Sequence, residues 1–420
     1  FAKDFPGFAA LTSPAPTSVA DVQALLASDE ALLLFLDTDE RFKPLPGETF
    51  VWAVTREKVA WAKSDIGTKT LGEKVAAFRR GLDIEDLKAS LVAGKAELFD
   101  TAAAHDLYAT LLGPVEAVIE GKRHLVIVPS GPLTSLPFHL LVTEEPAGSA
   151  PVRELKDLAR YRETQWLIRR HAVTVLPSVG SLRALRALAK PSRAEKPLVG
   201  WGDPDFTRGG AGGTRTAALT RAYSQFWQGT RADLAALSTG LVAVPETADE
   251  LAAVARSLGA AEADVRLGKA ATEAAVKEAR LEPYRVVYFA THGLVAGDIE
   301  GLGEPALAFT LPQEASDLDD GLLTASEVTQ LKLDADWVVL SACNTAAGDK
   351  PGAPALSGLA RAFFYAGSRS LLVSHWRVGS QAAARLTTST FEELAQDPAI
   401  GRAEALRQAM LAYLDDTADP

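Results

Sequence analysis

The chain has 420 residues, a formal net charge of −11 and a single cysteine, and 47% of its residues are hydrophobic. This length and composition are typical of a globular protein with two or three domains. The negative charge argues against general binding to nucleic acid or to an anionic membrane surface. A single cysteine excludes an internal disulfide, so nothing requires an oxidising compartment.

The sequence contains no segment that we interpret as a targeting or membrane signal. No apolar run is long enough to cross a bilayer, and the first residues lack a signal-peptide pattern. We therefore expect a cytoplasmic protein with neither a membrane nor a nucleic-acid partner. Because the chain begins with Phe1 and not with Met, we also expect it to be a fragment of a longer protein.

Short apolar runs alternate with helical stretches in the first part of the chain. Residues 31–36 and 50–54 predict strands, and a helical pattern covers about 71–112. The segment HLVIVPSGPLTSLPFHLL (124–141) predicts a buried strand, a turn and a helix. The segment HAVTVLPSVGSL (171–182) repeats this order, with Ser178 as the N-cap of its helix.

The alternation starts again after the polar segment 189–197, with a short strand at 198–201. The Gly-rich segment TRGGAGGTR (207–215) lacks the Lys-Ser/Thr ending of a phosphate-binding loop, and we interpret it as a flexible surface loop. Thr247 and Glu250 predict a capping box at the start of a helix, and Gly259 predicts the end of that helix.

Three strong strands follow in the second half of the chain, at 286–290, 337–340 and 370–374. Each is a near-continuous apolar run, as expected for central parallel strands that are covered on both faces. Helices are predicted at 325–330, 356–366, 381–395 and 402–414. This order predicts an α/β fold with a mostly parallel sheet flanked by helices.

Two of these strands run into residues with reactive side chains. Cys343 follows the strand in VVLSACNTAAG, and His292 follows the strand in VVYFATHG. Ligands of open parallel sheets bind at this edge, where neighbouring strands are about 5 Å apart. A lone cysteine can also be a small buried residue, and a histidine at a strand end can be structural. The spacing of 51 residues, with the histidine first, is close to the caspase arrangement.

The chemistry of peptide-bond cleavage needs these residue types. A thiolate is the nucleophile, and a histidine can generate or stabilise it near neutral pH. Gly293 has no side chain, so its N–H can approach a reacting carbonyl, and the N–H groups of Gly293 and Cys343 are the natural oxyanion donors. One cysteine and scattered histidines do not supply zinc-ligand spacing, so we expect no metal and no other cofactor.

These segments also match a known family. YFATHG, VVLSACNTAAG and LSGLARAFFYAGSRSLLVSHW (356–376) closely resemble the CHAT family, whose members are caspase-like domains related to separase and often attached to tetratricopeptide repeats. The resemblance extends from about residue 125 to the end of the chain, with support from HLVIVPSGPLTSLPF, GWGDPDF, PETADEL and DDGLLTASEV. It implies cysteine endopeptidase activity on protein or peptide substrates, with His292 as the base and Cys343 as the nucleophile.

The resemblance also implies a duplicated architecture, with an inactive caspase-like half followed by a catalytic half. We expect residues 1–120 to form an N-terminal α/β segment that leads into the core. Residues 121–195 would complete the inactive half, and residues 196–420 would form the catalytic half. An upstream repeat region or another regulator of the full-length protein is an expected partner.

The substrate pocket departs from that of relatives that cleave after Arg or Lys, which hold the basic side chain with carboxylates. The position two residues before the nucleophile is Ser341, and the run after VSHW contains Ser380 and no acid. Arg377 adds a positive charge nearby. We therefore expect a pocket that disfavours Arg and Lys. Three acids, of which Asp320 is the first to consider, could line the cleft instead, but a solvated acidic loop explains them as well: Asp317, Asp319 and Asp320.

Two other functions compete with a cysteine peptidase. The first is a catalytically silent interaction or regulatory module of the CHAT type, against which the intact pair of His292 and Cys343 counts. The second is a serine hydrolase, which would need a G-x-S-x-G nucleophile elbow that the sequence does not contain.

Overall fold

A computed structural model gives the structure of the chain. It describes residues 17–39, 41, 45–82, 84–94, 98–146, 158–188, 192–207, 227–228, 231–232, 234–294, 303–341, 358–376 and 378–417. The chain divides into two compact units. The first comprises Phe1–Ala189, Lys350–Ala355 and Ser389–Pro420, and the second comprises Lys190–Asp349 and Leu356–Thr388.

Five described strands form the sheet of the first unit: β1 (Glu30–Asp37), β2 (Thr49–Thr55), β3 (Val59–Ser64), β4 (His124–Val128) and β5 (Ala172–Val175). Their order is β3-β2-β1-β4-β5; β1, β4 and β5 are parallel, and β2 is antiparallel to both of its neighbours. The described helices of this part are α1 (Val19–Leu25), α2 (Thr68–Arg79), α3 (Ile84–Val92), α4 (Thr101–Leu111), α5 (Glu116–Ile119), α6 (Arg160–Glu163), α7 (Leu167–Arg170) and α8 (Val179–Arg183).

Side chains of this sheet alternate between two covered faces. Leu33 and Ile127 pack on one face in a cluster with residues of α2 and α4. Leu32 and Val126 pack on the other face in a cluster with residues of α1 and α8. The central strands β1 and β4 are therefore buried on both sides, which explains their near-continuous apolar sequences.

The second unit is built on a parallel sheet in the order β15-β14-β10-β6-β9. Its described strands, with the short strands beside the sheet, are β6 (Lys196–Pro204), β7 (Trp227–Gln228), β8 (Arg231–Ala232), β9 (Val265–Gly268), β10 (Tyr284–Ala290), β11 (Gly293–Leu294), β12 (Ala306–Ala308), β13 (Leu322–Thr324), β14 (Trp337–Ser341) and β15 (Leu371–Val373). The described helices are α9 (Leu234–Gly240), α10 (Glu246–Ser257), α11 (Glu273–Lys277), α12 (Ala325–Val328), α13 (Gly358–Ala366) and α14 (Ser380–Gln396), the last of which runs on into the first unit.

Helices cover both faces of this parallel sheet. On one face Phe289 of β10 packs against Phe363 of α13, with ring centroids 5.5 Å apart. On the other face Leu251 of α10 lies directly over Gly200 of β6. The architecture is α/β with mostly parallel strands, as predicted, and it is consistent with a caspase-like fold.

The last helix, α15 (Arg402–Asp415), belongs to the first unit. The Arg407 guanidinium donates to the carbonyls of Ile168 and Arg169 at the end of α7. Met410 and Leu411 pack against the core cluster of the first sheet. The predicted division at residues 120 and 195, and the idea that the first part is an inactive caspase-like half, stay predictions.

Several predicted elements are confirmed. Strands β1, β2, β4, β10, β14 and β15 and helices α13 and α15 lie within a few residues of their predicted places. Ser178 is the N-cap of α8, since its side chain accepts the Ser181 N–H. Gly259 has a φ of +68° and follows the end of α10, as predicted.

Other predictions were wrong in detail. The helical pattern of 71–112 is divided into α2, α3 and α4. After β4 the chain forms 3-10 turns at Gly131–Ser135 and Phe138–Leu140, where a helix was expected. The capping box is also absent, because α10 begins at Glu246 and its N-cap is Pro245. The Thr247 hydroxyl accepts the Asp203 N–H, and the Glu250 carboxyl accepts the Tyr288 hydroxyl. The Gly-rich loop predicted at 207–215 lies almost entirely outside the described residues.

Candidate active site

The two strands that lead to His292 and Cys343 are neighbours in the second sheet. β10 and β14 pair in parallel, with Ala290 opposite Ser341. The Thr291 N–H donates to the Ser341 carbonyl over 3.2 Å, so the pairing continues to the last residue of β14. The prediction that both strands end at the same edge of one parallel sheet is confirmed. Cys343 itself lies outside the described residues, as does Arg377.

His292 follows β10, and its ring contacts a backbone carbonyl and an aromatic side chain. Its Nε2 lies 2.7 Å from the Val242 carbonyl oxygen, and its ring packs against Phe206 with centroids 5.5 Å apart. A carbonyl oxygen can only accept, so Nε2 carries a proton in this hydrogen bond. In the neutral ring the proton-accepting nitrogen is then Nδ1.

The chain after His292 is fixed by the small sheet of β11, β12 and β13. Gly293 lies opposite Leu307, while the Ala308 N–H donates to the His292 carbonyl over 3.0 Å. The buried Thr291 hydroxyl donates to the Ala308 carbonyl. In an antiparallel pair, hydrogen-bonded and non-hydrogen-bonded positions alternate. The Gly293 N–H therefore points away from β12, and it is not used by that strand.

The end of β6 lies beside the end of β10, since Gly202 pairs with Ala290. The next residue, Asp203, has a φ of +48° and is the only non-glycine residue with positive φ in the described part of the chain. Burial raises the pKa of the Asp203 carboxyl, and the charges of Asp205 and Glu246 raise it further. Strained backbone of this kind is concentrated at functional sites. Sequence reasoning missed this residue, although GWGDPDF was noted as a family segment.

Ser341, the last residue of β14, faces a buried polar group that the sequence analysis did not predict. Its half-exposed hydroxyl lies beside Glu250 and the fully buried Tyr288 and can donate its proton to either of them. Burial raises the pKa of the Glu250 carboxyl, and the hydroxyls of Ser341 and Tyr288 oppose that shift. The Tyr288 hydroxyl donates to the Glu250 carboxyl.

The acidic loop that contains Asp320 is anchored on α11. The N–H groups of Asp320 and Gly321 donate to Glu273 Oε2 over 2.7 and 2.9 Å. Asp320 Oδ1 accepts the Leu322 N–H over 3.1 Å. Burial raises the pKa of Glu273, although Lys277 forms an ion pair with it at 2.5 Å. The Asp320 carboxyl thus accepts a hydrogen bond within its own loop, and its place in a substrate cleft stays a prediction. Ser380 is the first residue of α14.

Comparison with known proteins identifies the family. A family model described as the CHAT domain matches residues 101–420. The chain belongs to the CHAT-domain family. Membership relates it to caspase-like cysteine peptidases, and the resemblance seen in the sequence is confirmed. Among curated proteins, no match to the chain was found.

The match of the CHAT domain covers the whole parallel sheet of the second unit and the two strands that lead to His292 and Cys343. It begins at the first residue of α4 and so also includes part of the first unit. Within the described residues of this CHAT domain, no helix is both long enough and apolar enough to cross a bilayer.

Proposed function

We propose that this CHAT domain is a cysteine endopeptidase that cleaves protein substrates with Cys343 and His292. The observation that carries the proposal is the pairing of Ala290 with Ser341. His292 and Cys343 each follow their paired residue by two positions in the sequence, so we expect both at the same level of one sheet edge. Neighbouring strands are about 5 Å apart, which suits a base and a nucleophile that act together.

In the proposed reaction, Nδ1 of His292 takes the proton of the Cys343 thiol. The thiolate then attacks the carbonyl carbon of the scissile peptide bond and forms a tetrahedral intermediate. The N–H groups of Gly293 and Cys343 stabilise its oxyanion. The Val242 carbonyl accepts from Nε2 and so stabilises the imidazolium that forms.

The intermediate collapses when the C–N bond breaks and the imidazolium gives its proton to the leaving amine. This leaves a thioester between Cys343 and the N-terminal part of the substrate. Water then attacks the thioester carbonyl and gives a proton to His292. Breakage of the C–S bond releases the acid product, and return of the proton restores the thiol.

The proposed substrate pocket carries serines at the two positions where relatives carry acids, Ser341 and Ser380. A buried guanidinium or ammonium without a paired charge is costly, so we propose that neutral or small side chains are accepted before the cleaved bond.

The test is cleavage of a peptide library by the purified chain, with Cys343→Ala as the blank. A thiol-directed peptide electrophile provides a second readout, since it should label the wild type at Cys343 and leave His292→Ala unlabelled at the same pH. Cleavage that persists in Cys343→Ala would contradict the mechanism. No cleavage and no labelling of the wild type would favour the alternative, a catalytically silent interaction or regulatory module.

A further inference from the structure

We propose that Glu250 is a positioning residue that holds the ends of β10 and β14 in the register needed by His292 and Cys343. This inference rests on the proposed function, because it assigns Glu250 a role in that site. Glu250 belongs to α10, and it is joined to both strands through hydroxyl groups.

Two glycines of β6 allow α10 to lie close to the sheet. A Cβ at Gly200 would lie 2.6 Å from a Leu251 methyl carbon, and a Cβ at Gly202 would lie 3.3 Å from the Thr247 carbonyl oxygen. Gly200 pairs with Tyr288 of β10. The close approach of the helix therefore brings Glu250, the residue before Leu251, within reach of the Tyr288 hydroxyl.

One carboxyl group then connects four elements of the second unit. Tyr288 of β10 donates to Glu250, and the single hydroxyl of Ser341 of β14 lies beside both groups and can donate to one of them. Thr387 of α14 hydrogen-bonds with Tyr288. Tyr288 is fully buried, while Glu250 is 2% and Thr387 is 5% exposed. Tyr288 lies two pairing steps before Ala290, and Ser341 is the partner of Ala290 itself.

The buried Glu250 carboxyl is an unusual choice for a residue that serves stability alone. Burial raises the pKa of the Glu250 carboxyl, and no Lys or Arg of the described residues forms an ion pair with it. Replacing buried ionisable groups with apolar side chains of similar volume often leaves the stability of a protein unchanged or raises it. Directional hydrogen bonds, in contrast, select one position of the strands relative to each other. Apolar packing specifies that position less strictly.

The same strand provides a matched comparison at its other end. Tyr284, four residues before Tyr288, donates its hydroxyl to the buried Asp264 over 2.5 Å. Tyr284→Phe and Tyr288→Phe thus remove the same hydroxyl-to-carboxyl hydrogen bond from one strand. The first lies at the start of β10, away from the catalytic edge, and the second lies near that edge.

The experiment compares Glu250→Met, Glu250→Gln, Tyr288→Phe and Tyr284→Phe by kcat, by KM and by the free energy of unfolding. We expect Glu250→Met and Tyr288→Phe to lower kcat by about tenfold to a hundredfold with KM little changed, since small misplacements of reacting groups have effects of this size. Glu250→Gln, which keeps an acceptor oxygen, should retain most of the activity. Tyr284→Phe should keep wild-type kcat even if it unfolds more easily.

A second readout separates this inference from the proposed function. The rate at which iodoacetamide alkylates Cys343 reports the pairing with His292 without any substrate. If the wild type cleaves peptides but Glu250→Met and Tyr288→Phe match Tyr284→Phe in kcat and in alkylation, the positioning role is overturned and the peptidase stands. If the wild type cleaves nothing while Glu250→Met and Tyr288→Phe, unlike Tyr284→Phe, slow alkylation, the positioning role stands and the peptidase falls. If Glu250→Met does not fold, Tyr288→Phe decides by the same criteria.

Discussion

Ala290 and Ser341 lie opposite each other on neighbouring parallel strands, at the point where this strand pair of the second unit's parallel sheet ends. The chain places a histidine two residues after the first and a cysteine two residues after the second. The parallel register thus places side by side two residues, Ala290 and Ser341, that are 51 positions apart in the sequence. The predictions below follow from this relationship and from the contacts around it.

The first prediction concerns the proposed dyad. Cys343→Ala should abolish peptide cleavage and leave the fold intact, because one small residue replaces another. His292→Ala should lower kcat by about a thousandfold or more, since a base and its nucleophile act as a unit. Initial rates on one fluorogenic peptide, with circular dichroism as the folding control, are the measurement. Activity near the wild-type level in either variant would contradict the mechanism.

The second prediction concerns specificity. Wild-type enzyme should cleave after neutral or small residues in preference to Arg or Lys, because Ser341 and Ser380 offer no charge to a basic side chain. Ser380→Asp should raise the relative kcat/KM for Arg, and each 1.4 kcal/mol of added interaction corresponds to about tenfold. A peptide library that varies only the residue before the cleaved bond provides the readout. A wild-type preference for Arg would show that another acid lines the pocket, and Asp320→Asn would then be the next variant.

The third prediction concerns a turn of the second unit. Gly367 has a φ of +113°, and a Cβ there would lie 2.2 Å from the Leu333 carbonyl oxygen. Gly367→Ala should lower the free energy of unfolding by about 3 kcal/mol or more, because both the backbone conformation and the contact are unfavourable. Gly259→Ala is the matched control, since its φ is +68° but nothing lies within 4 Å. It should lose only about 1–2 kcal/mol, as measured by urea denaturation. Equal losses would refute the role of the contact.

The fourth prediction concerns the pH dependence of stability in the first unit. Burial alone would raise the pKa of the Glu30 carboxyl, but hydrogen bonds from His124 and Arg186 outweigh burial and lower it. A lowered pKa in the folded state stabilises the fold above the pKa of the unfolded chain, and this contribution is lost as the pH falls below about 4. Glu30→Gln should therefore destabilise the protein at pH 7 by about 1–3 kcal/mol and by less at pH 3, where part of this contribution is already lost. Urea midpoints of both proteins at the two pH values test this, and a difference independent of pH would refute it.

Strands with a near-continuous apolar run were predictable from sequence, and edge strands without such a run were not. The strands β10 and β14 have near-continuous apolar sequences because helices pack on both of their sides. The edge strand β9 contains Arg266 and has half-buried residues throughout, so no apolar run indicates it. The edge strand β3 alternates between exposed and half-buried residues and was missed for the same reason.

The residues of the proposed site were likewise predictable only where a local pattern indicates them. His292 was predictable because it follows the end of an apolar strand. Val242 was not, since it contributes a backbone carbonyl and any residue could supply one. Thr247 and Glu250 have the spacing of a capping box, but partners in β6 and β10 engage both side chains. Contacts across 38 to 50 residues of sequence therefore decide these roles, and local patterns do not contain them.

The place of α15 has a consequence for the order in which the newly made chain can fold. Its residues pack into the core of a unit that otherwise consists mainly of the first 189 residues, and about 200 residues of the second unit are translated in between. At about 5–20 residues per second, a ribosome needs roughly 10–40 s for that stretch. During this interval the early sheet exists without the helix that covers Ile168 and its neighbours. Folding of the first unit can therefore begin before that of the second unit, but it is completed last.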